Sequence, residues 1–348
     1  MPVTVCYGGF IKTCGSRTPA SLQCLTMKPD IPTNIPLRIG ISSCLLGQEV
    51  RFDSGHKHNA YITQTLGEYF EFVAFCPEMA IGLGVPRPPI RLVSVDGEVR
   101  VRGVRDPGQD VTEALVANAQ HVAGQLETVS GYIFKKGSPS CGMERVKVYH
   151  AETGYPVESA AGMYAGTIMQ ALPELPVEEE GRLMDARLRE NFVERVFIYH
   201  RWHCYCANGM TPAALVDFHT RHKFSVLAHD EPVYRELGRL VAAAGKGDMA
   251  ATAAEYIRLL MAALKKIATP KQHTNVLMYI MGFFKEDLDR DDKGELLEVI
   301  EAYRKELVPL IVPMTLIQHH LRRHPNDYIS AQYYINPHPR ELMLRNRI

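Results

Sequence analysis

Cys44, Cys76 and Cys141 lie far apart in the chain, yet each stands just beyond a short apolar run of strand character: LRIGISSC, EFVAFC and GYIFKKGSPSC. In an open parallel sheet the carboxyl ends of the strands share one edge, where ligands bind, so three such cysteines can converge on one site. Three thiolates without an evident fourth suit a catalytic metal centre with an open position, because structural zinc and cluster sites are normally closed by four protein ligands. Thiolates are soft ligands that serve iron–sulfur clusters and zinc alike, so the cysteines alone leave the metal open. The bland alternative is three unrelated buried cysteines acting as small hydrophobes.

The loops around these sulfurs are rich in glycine, proline, hydroxyls and charge, a composition suited to surrounding a ligand. Ser42 to Gly47 leads into Arg51, Phe52 and Asp53, and Cys76-Pro77-Glu78 leads to Gly82-Leu83-Gly84-Val85-Pro86-Arg87-Pro88-Pro89. The third segment places Lys135, Lys136, Ser138 and Ser140 beside Cys141. His56 and His58 sit near Asp53, but two-residue spacing in a polar loop reads as surface or substrate contact, not metal ligation.

The elements that must position these loops alternate. LRIGIS, a helical stretch near Asn59 to Glu68, and FEFVAF follow in β-α-β order. IRLVSV and EVRVRG join through Asp96-Gly97, a hairpin signal, and a helix from about Gln109 to Val129 ends at Gly131 before GYIFK. The expected fold is an α/β N-terminal domain with a mostly parallel, Rossmann-like sheet over residues 37–175, then a linker at 176–185 with the acidic run Glu178 to Glu180. An all-α C-terminal domain over 186–348 follows, with breaks at Gly209, Asp230, Gly247, Pro270, Asp291 and Pro309. Residues 1–36, with Cys6, Cys14 and Cys24, read as an extension, non-native or disordered, and Met27 offers an internal translation start.

Lys plus Arg equals Asp plus Glu at 39 each, so no global positive field announces a nucleic-acid partner. Residues 186–348 carry a mild excess, 23 Lys and Arg against 19 Asp and Glu, concentrated late at Arg322, Arg323, Arg340, Arg345 and Arg347. No apolar stretch approaches a membrane span and no secretory signal pattern opens the chain, so a cytoplasmic protein with reduced thiols is expected.

The SSCLLG, CPE with GLGVPRPP, and SPSCG segments, in that order, resemble those of the thiouracil desulfidase family, the TudS-like proteins. The resemblance covers about residues 37–175 and implies a 4Fe-4S cluster on Cys44, Cys76 and Cys141, loaded by the iron–sulfur assembly machinery. The helical half resembles the companion domain of bacterial desulfidases that convert 4-thiouridine in tRNA to uridine. That likeness rests on His219 to Lys223, on YRELGRLVA at Tyr234 to Ala242 and on the closing YINPHPRELMLRN. It implies tRNA as partner, whereas single-domain relatives act on free thiouracil.

The chemistry expected is Lewis-acid polarisation of a thione carbon, attack by water and loss of sulfide without redox change. Glu78 and then Asp53 are the candidate general base or acid, with Ser138 assisting. Ser43, Arg87, Lys136 and Ser140 are candidate substrate contacts, although Glu78 could instead cap a helix and Arg87 brace its loop. His200, His203, Cys204 and Cys206 form a second cluster of ligand types, for which packing is the simpler reading. His219, His222 and Lys223 could grip phosphate, and Tyr328, Tyr333 and Tyr334 could stack on a base or pack the last helix. Two other functions stand beside tRNA desulfidation: desulfidation of a free thiouracil or thionucleotide, and a non-enzymatic metal-binding or assembly module.

Overall fold

β-branched and aromatic runs bounded by glycine, proline and charge build eight short strands in a computed structural model that describes residues 36–346. The expected N-terminal extension, with its cysteines and Met27, falls almost entirely outside those residues, as does Arg347. Strands β1 (Arg38–Ser42), β2 (Glu71–Phe75), β5 (Gly131–Phe134) and β8 (Val177–Glu179) form an all-parallel sheet in the order β2-β1-β5-β8. Strands β3 (Ile90–Val95), β4 (Glu98–Gly103), β6 (Val146–His150) and β7 (Pro156–Ala160) form a second, mixed sheet in the order β4-β3-β6-β7. The α/β expectation holds, but one mostly parallel sheet becomes two sheets. The β3–β4 hairpin turns at Asp96 and Gly97, both with positive φ (52° and 83°), as a tight two-residue turn requires.

The parallel sheet is covered on both faces, as apolar side chains on both sides of its strands demand. Tyr132 and Phe134 pack against helix α2 (Thr112–Gln125) and helix α3 (Met163–Ala171). Ile39, Ile41 and Ile133 pack against Phe192, Val193 and Val196 of helix α4 (Ala186–Ala207), joined by Leu342 and Leu344 near the C-terminal end. Gly131 permits the approach, because a Cβ there would lie 2.8 Å from Val196 Cγ2. The first helix of the helical half is thus the outer layer of the α/β sandwich.

Two helical expectations shift. The stretch near residues 59–68 is one π turn (Tyr61–Thr65) followed by a 3₁₀ turn (Leu66–Glu68). Helix α2 starts at Thr112, not Gln109, because Asp110 is tied to β4 through Arg100 (2.6 Å) and accepts from Thr112 N (3.0 Å). The expected linker is also structured, with β8 and a 3₁₀ turn (Arg182–Met184) inside residues 176–185. Only tertiary pairing with β5 could reveal so short a strand.

Beyond α4 come α5 (Pro212–His229), α6 (Glu231–Ala242), α7 (Met249–Leu264), α8 (Pro270–Gly282), α9 (Arg290–Arg304) and α10 (Ile311–Arg323). Each break read from the sequence lies at a helix boundary. Asp185, Thr211, Asp230, Asp248, Thr269 and Asp289 cap the N-termini of α4 to α9 with side-chain oxygens. Among the described residues no helix is long and apolar enough to cross a membrane.

Candidate active site

Parallel pairing puts the carboxyl ends of β1, β2 and β5 at one edge, with β1 between the other two, so the chain's direction of travel across the sheet reverses there. Cys44 sits in a 3₁₀ turn (Ser43–Leu46) directly after β1, closed by Gly47 at φ 92°. Cys76 follows β2 and precedes a short helix, α1 (Pro77–Ala80). Cys141 lies within the loop that joins β5 to β6. All three line one cavity of about 280 Å³, together with Ser43, Glu78, Arg87, Lys136 and Ser138.

Burial sets the state of the sulfurs. It pushes the Cys44 thiol up to about 11 against the opposing charges of Lys135 and Arg51. Burial also raises Cys76, opposed by the N–H groups of Met79 and Glu78, and raises Cys141 well above an ordinary thiol, opposed by the Ser42 hydroxyl. Such thiols are poor free nucleophiles. A metal centre would hold the sulfurs as thiolates by replacing their protons.

The donor set fits a cluster. Three soft thiolate donors on separate loops are the donor chemistry of an iron–sulfur site. A four-iron cluster takes each cysteine on a separate iron, and three cysteines leave its fourth iron open.

Glu78 lies in the first turn of α1, but its carboxylate is held by residues outside that helix. Its Oε2 accepts from Arg87 Nε (2.9 Å) and Nη2 (2.7 Å), and its Oε1 accepts from Ser140 Oγ (2.9 Å) with Ser138 Oγ at 3.5 Å. It caps no helix. Arg87 has its remaining donors on Gly84 O (2.7 Å), Val50 O (3.0 Å) and Met79 Sδ (3.7 Å). With a side chain only 4% exposed, it braces Glu78 and its loop, and none of its N–H groups is left for a substrate. Ser140 likewise serves Glu78 and does not line the cavity wall.

Asp53 is not brought to the cavity. Its carboxylate turns back onto Gly55 N (3.2 Å) and Arg51 Nε (3.4 Å), the local closure that aspartate favours in turns. His58 bonds Thr63 Oγ1 (2.9 Å), also away from the sulfurs. Residues with no role expected from the sequence stand at the site instead. Ser42 accepts from Lys135 N (3.0 Å), and the exposed Phe52 and Lys57 form part of the cavity mouth. Glu180 accepts from Lys136 N (2.6 Å) and Lys135 Nζ (2.5 Å). The one available signal for Phe52 and Lys57 was their nearness in sequence to Cys44.

The other constellations are dispersed by packing. On α4, His200 bonds Ser130 Oγ (3.2 Å) and contacts Cys204 Sγ (3.7 Å), while His203 lies against Tyr199, and Cys206 is exposed. His219 bonds Tyr256 OH (3.1 Å), and His222 is buried on Phe218 O (2.7 Å), so neither faces solvent. Tyr334 is buried on His273 (2.8 Å), and Tyr333 lies under Arg201 at 3.8 Å. Tyr328 is half-buried against Phe283 (5.3 Å) with Lys223 above it (4.8 Å). Arg345, grouped by sequence with the late surface cations, is buried and pairs with Glu190 (3.0 Å) and Tyr334 O (2.7 Å).

Residues 39–180 match the 2-thiouracil desulfurase family, and residues 223–339 match a family described as a protein of unknown function, DUF1722. The chain is 33% identical over 161 residues to the uncharacterized protein YbgA of Escherichia coli (strain K12), which covers 46% of this chain and 95% of that protein. It is 33% identical over 108 residues to the uncharacterized protein YbbK of Bacillus subtilis (strain 168), covering 29% and 71% respectively. The solved structure of the 4Fe-4S-dependent thiouracil desulfidase TudS is 29% identical and covers 43% of this chain and 94% of its own, with a TM-score of 0.33. The chain belongs to the 2-thiouracil desulfurase family and continues, in the same polypeptide, into a DUF1722 region.

Proposed function

We propose that this protein removes the sulfur of 4-thiouridine in tRNA to give uridine, using a 4Fe-4S cluster held by Cys44, Cys76 and Cys141. The observation that carries the reading is the convergence of two buried thiols, one half-buried thiol and one anchored carboxylate on a single cavity, in a chain of the 2-thiouracil desulfurase family. When bound, the cluster supplies an open, thiophilic iron for the sulfur of the base. Glu78, fixed by Arg87 and Ser140, takes a proton from the attacking water, whose oxygen bonds to C4. Glu78 then gives that proton to the sulfur on C4, the C4–S bond breaks as the C4 hydroxyl becomes the carbonyl and releases its proton to solvent, and sulfur leaves as hydrosulfide; no atom changes oxidation state. Ser138 and Ser43 orient the base or the water, and Lys136 stands at the rim for phosphate.

The tRNA assignment draws on the helical half. Lys223, Tyr328 and Phe283 group together, and Arg322 and Arg323 lie exposed on α10, a combination suited to phosphate contact and stacking. A second reading has one specific support: the family matched over residues 39–180 is described by 2-thiouracil, so a free thiouracil or thionucleotide is the alternative substrate. The reaction belongs in the cytoplasm, with the iron–sulfur assembly machinery supplying the cluster.

The test is anaerobic purification with iron and sulfide analysis, then incubation with thiolated tRNA while the thione absorbance is followed. Loss of absorbance that requires about four irons per chain is the expected result. Activity on free thiouracil alone promotes the second reading. Iron-free, zinc-loaded protein that still turns over overturns the cluster reading.

A further inference from the structure

We propose that the acidic triplet Glu178–Glu180 is a clamp on the loop of the third cysteine, with Glu179 and Glu180 acting as positioning residues for Cys141. The inference rests on the reading above that Cys141 is a cluster ligand. It starts from an asymmetry among the three cysteines. Cys44 and Cys76 follow their strands within two residues and inherit the order of the sheet. Cys141 is reached only after a loop that leaves β5 at Phe134, so its sulfur needs a separate anchor.

Strand β8 supplies it. It pairs in parallel with β5, with Phe134 beside Glu179, and it brings carboxylates where an aliphatic strand would serve the core better. Glu178 and Glu179 are each 3% exposed, a costly burial unless their oxygens are occupied. They are occupied by the cysteine loop and its flank. Glu180 holds the entry to the loop through Lys136 N (2.6 Å) and Lys135 Nζ (2.5 Å). Glu179 Oε1 holds the exit through Met143 N (2.7 Å). Arg182 then bridges Glu178 Oε1 (2.6 Å) to Glu144 Oε1 (2.8 Å), a second tie on the exit side.

Cys141 therefore lies between two grips made by consecutive residues. Within the loop Gly142 N donates to Ser138 O (2.8 Å), and Gly162 packs so closely that a Cβ would stand 2.7 Å from Ser140 O and 2.8 Å from Ser138 O. The clamp is itself backed by the helical half, since Arg195 Nη2 of α4 donates to Val177 O (3.3 Å). An acidic run that only kept a linker in solvent would show none of these contacts.

The experiment uses the full chain carrying Glu179→Ala, Glu180→Ala or Glu180→Gln, with Glu158→Ala on the exposed strand β7 as control. In anaerobically loaded protein, iron release to a ferrous chelator should be about tenfold faster for each alanine variant, the scale of one lost charge-assisted hydrogen bond. The control should release iron at the wild-type rate. In cluster-free protein, hydrogen exchange should lose protection at Lys136 in Glu180→Ala and at Met143 in Glu179→Ala. Glu180→Gln, which keeps an acceptor for Lys136 N, should retain it, so a general loss of folding is told apart from a lost grip. Iron release at the wild-type rate in both alanine variants overturns the clamp. If wild-type protein takes up no iron, the cluster reading fails on its own, and unchanged exchange at Lys136 and Met143 then overturns the clamp as well.

Discussion

The cysteine cavity and the buried polar cluster of the helical half both put titratable groups where water is scarce, but they settle them in opposite ways. In the helical half the charges pair with one another, with only Arg345 Nη2 left to an ion-pair contact without a hydrogen bond. Glu194 accepts from Ser225 Oγ (3.0 Å) and stands 3.5 Å from His229 Nε2, while Arg345 joins Glu190, Tyr334 O and, at 4.0 Å, Glu194. The space left there is about 70 Å³. At the sheet edge the thiols have only weak partners, such as Val50 O at 3.9 Å from Cys76 Sγ, burial raises them, and about 280 Å³ stays open. A network that closes on itself serves the fold, whereas unreconciled ligand atoms around a cavity await something from outside.

The sharpest way to break that contrast is to remove a sulfur. Cys44→Ala, Cys76→Ala or Cys141→Ala should each abolish turnover and iron retention while leaving the circular dichroism and the thermal midpoint of the cluster-free protein near wild type. Turnover surviving in all three variants would return the cysteines to ordinary packing. Next in size is Glu78→Gln, which keeps a hydrogen-bonding side chain beside Arg87 and Ser140 but cannot take a proton. Its kcat should fall by about 10²–10⁴ at unchanged iron content. A fall of less than fivefold would pass the base role to another group.

Much of this site was legible because its signals are local. A cysteine just past an apolar run declares its edge of the sheet, and Glu78 is two residues from Cys76. Asp96-Gly97 fixes a hairpin through backbone sterics alone, and Pro270 marks a helix start. What stayed hidden depends on partners distant in sequence. Strand β8 is three residues long and lined with glutamates, so neither periodicity nor polarity marks it; its partners are backbone amides near Cys141. Arg345 reads as a surface cation until Glu190, 155 residues earlier, is seen against it. Arg87 reads as a substrate contact until its donors are counted, and Asp53 as a catalytic acid until its turn closes on Gly55.

The helical network offers the reverse perturbation. Arg345→Met removes one partner of a buried set and leaves Glu190 and Glu194 without their cation. The chain should lose about 3–5 kcal/mol of stability, read from urea unfolding of the cluster-free protein. Below the unfolding range the refolded variant should still bind iron with wild-type stoichiometry. Iron loss without destabilisation would mean that the two regions are one functional unit.

A gentler probe is pH. Burial, assisted by the charges of Arg345 and His229, pushes His273 down to about 3, with Glu194 opposing. Burial likewise takes His219, beside Lys223, and His203, beside His200, down to about 4. In the unfolded chain each has an ordinary value near 6.5, so below that pH the unfolded state binds protons that the folded state refuses. The stability these histidines confer is fully present above about pH 6.5 and is lost as pH falls toward 4, at up to about 1.4 kcal/mol per histidine per pH unit. Denaturant midpoints that stay level between pH 7 and 5 would show that these rings are not held neutral in the fold.

The smallest expected effect is also the cleanest separator of sequence reading from geometry. Asp53 shares its loop with cavity residues and carries the right functional group for proton transfer, but its oxygens face Gly55 N and Arg51, and the side chain is about half exposed. Asp53→Asn keeps an acceptor for Gly55 N and removes the charge beside Arg51, so kcat should change by less than about threefold, the scale of a solvent-exposed pair. Glu78→Gln in the same assay sets the contrast. If the two substitutions cost kcat equally, the loop of Asp53 must close over the cavity during turnover, and the carboxylate anchored by Arg87 would share its work with one that rests outside.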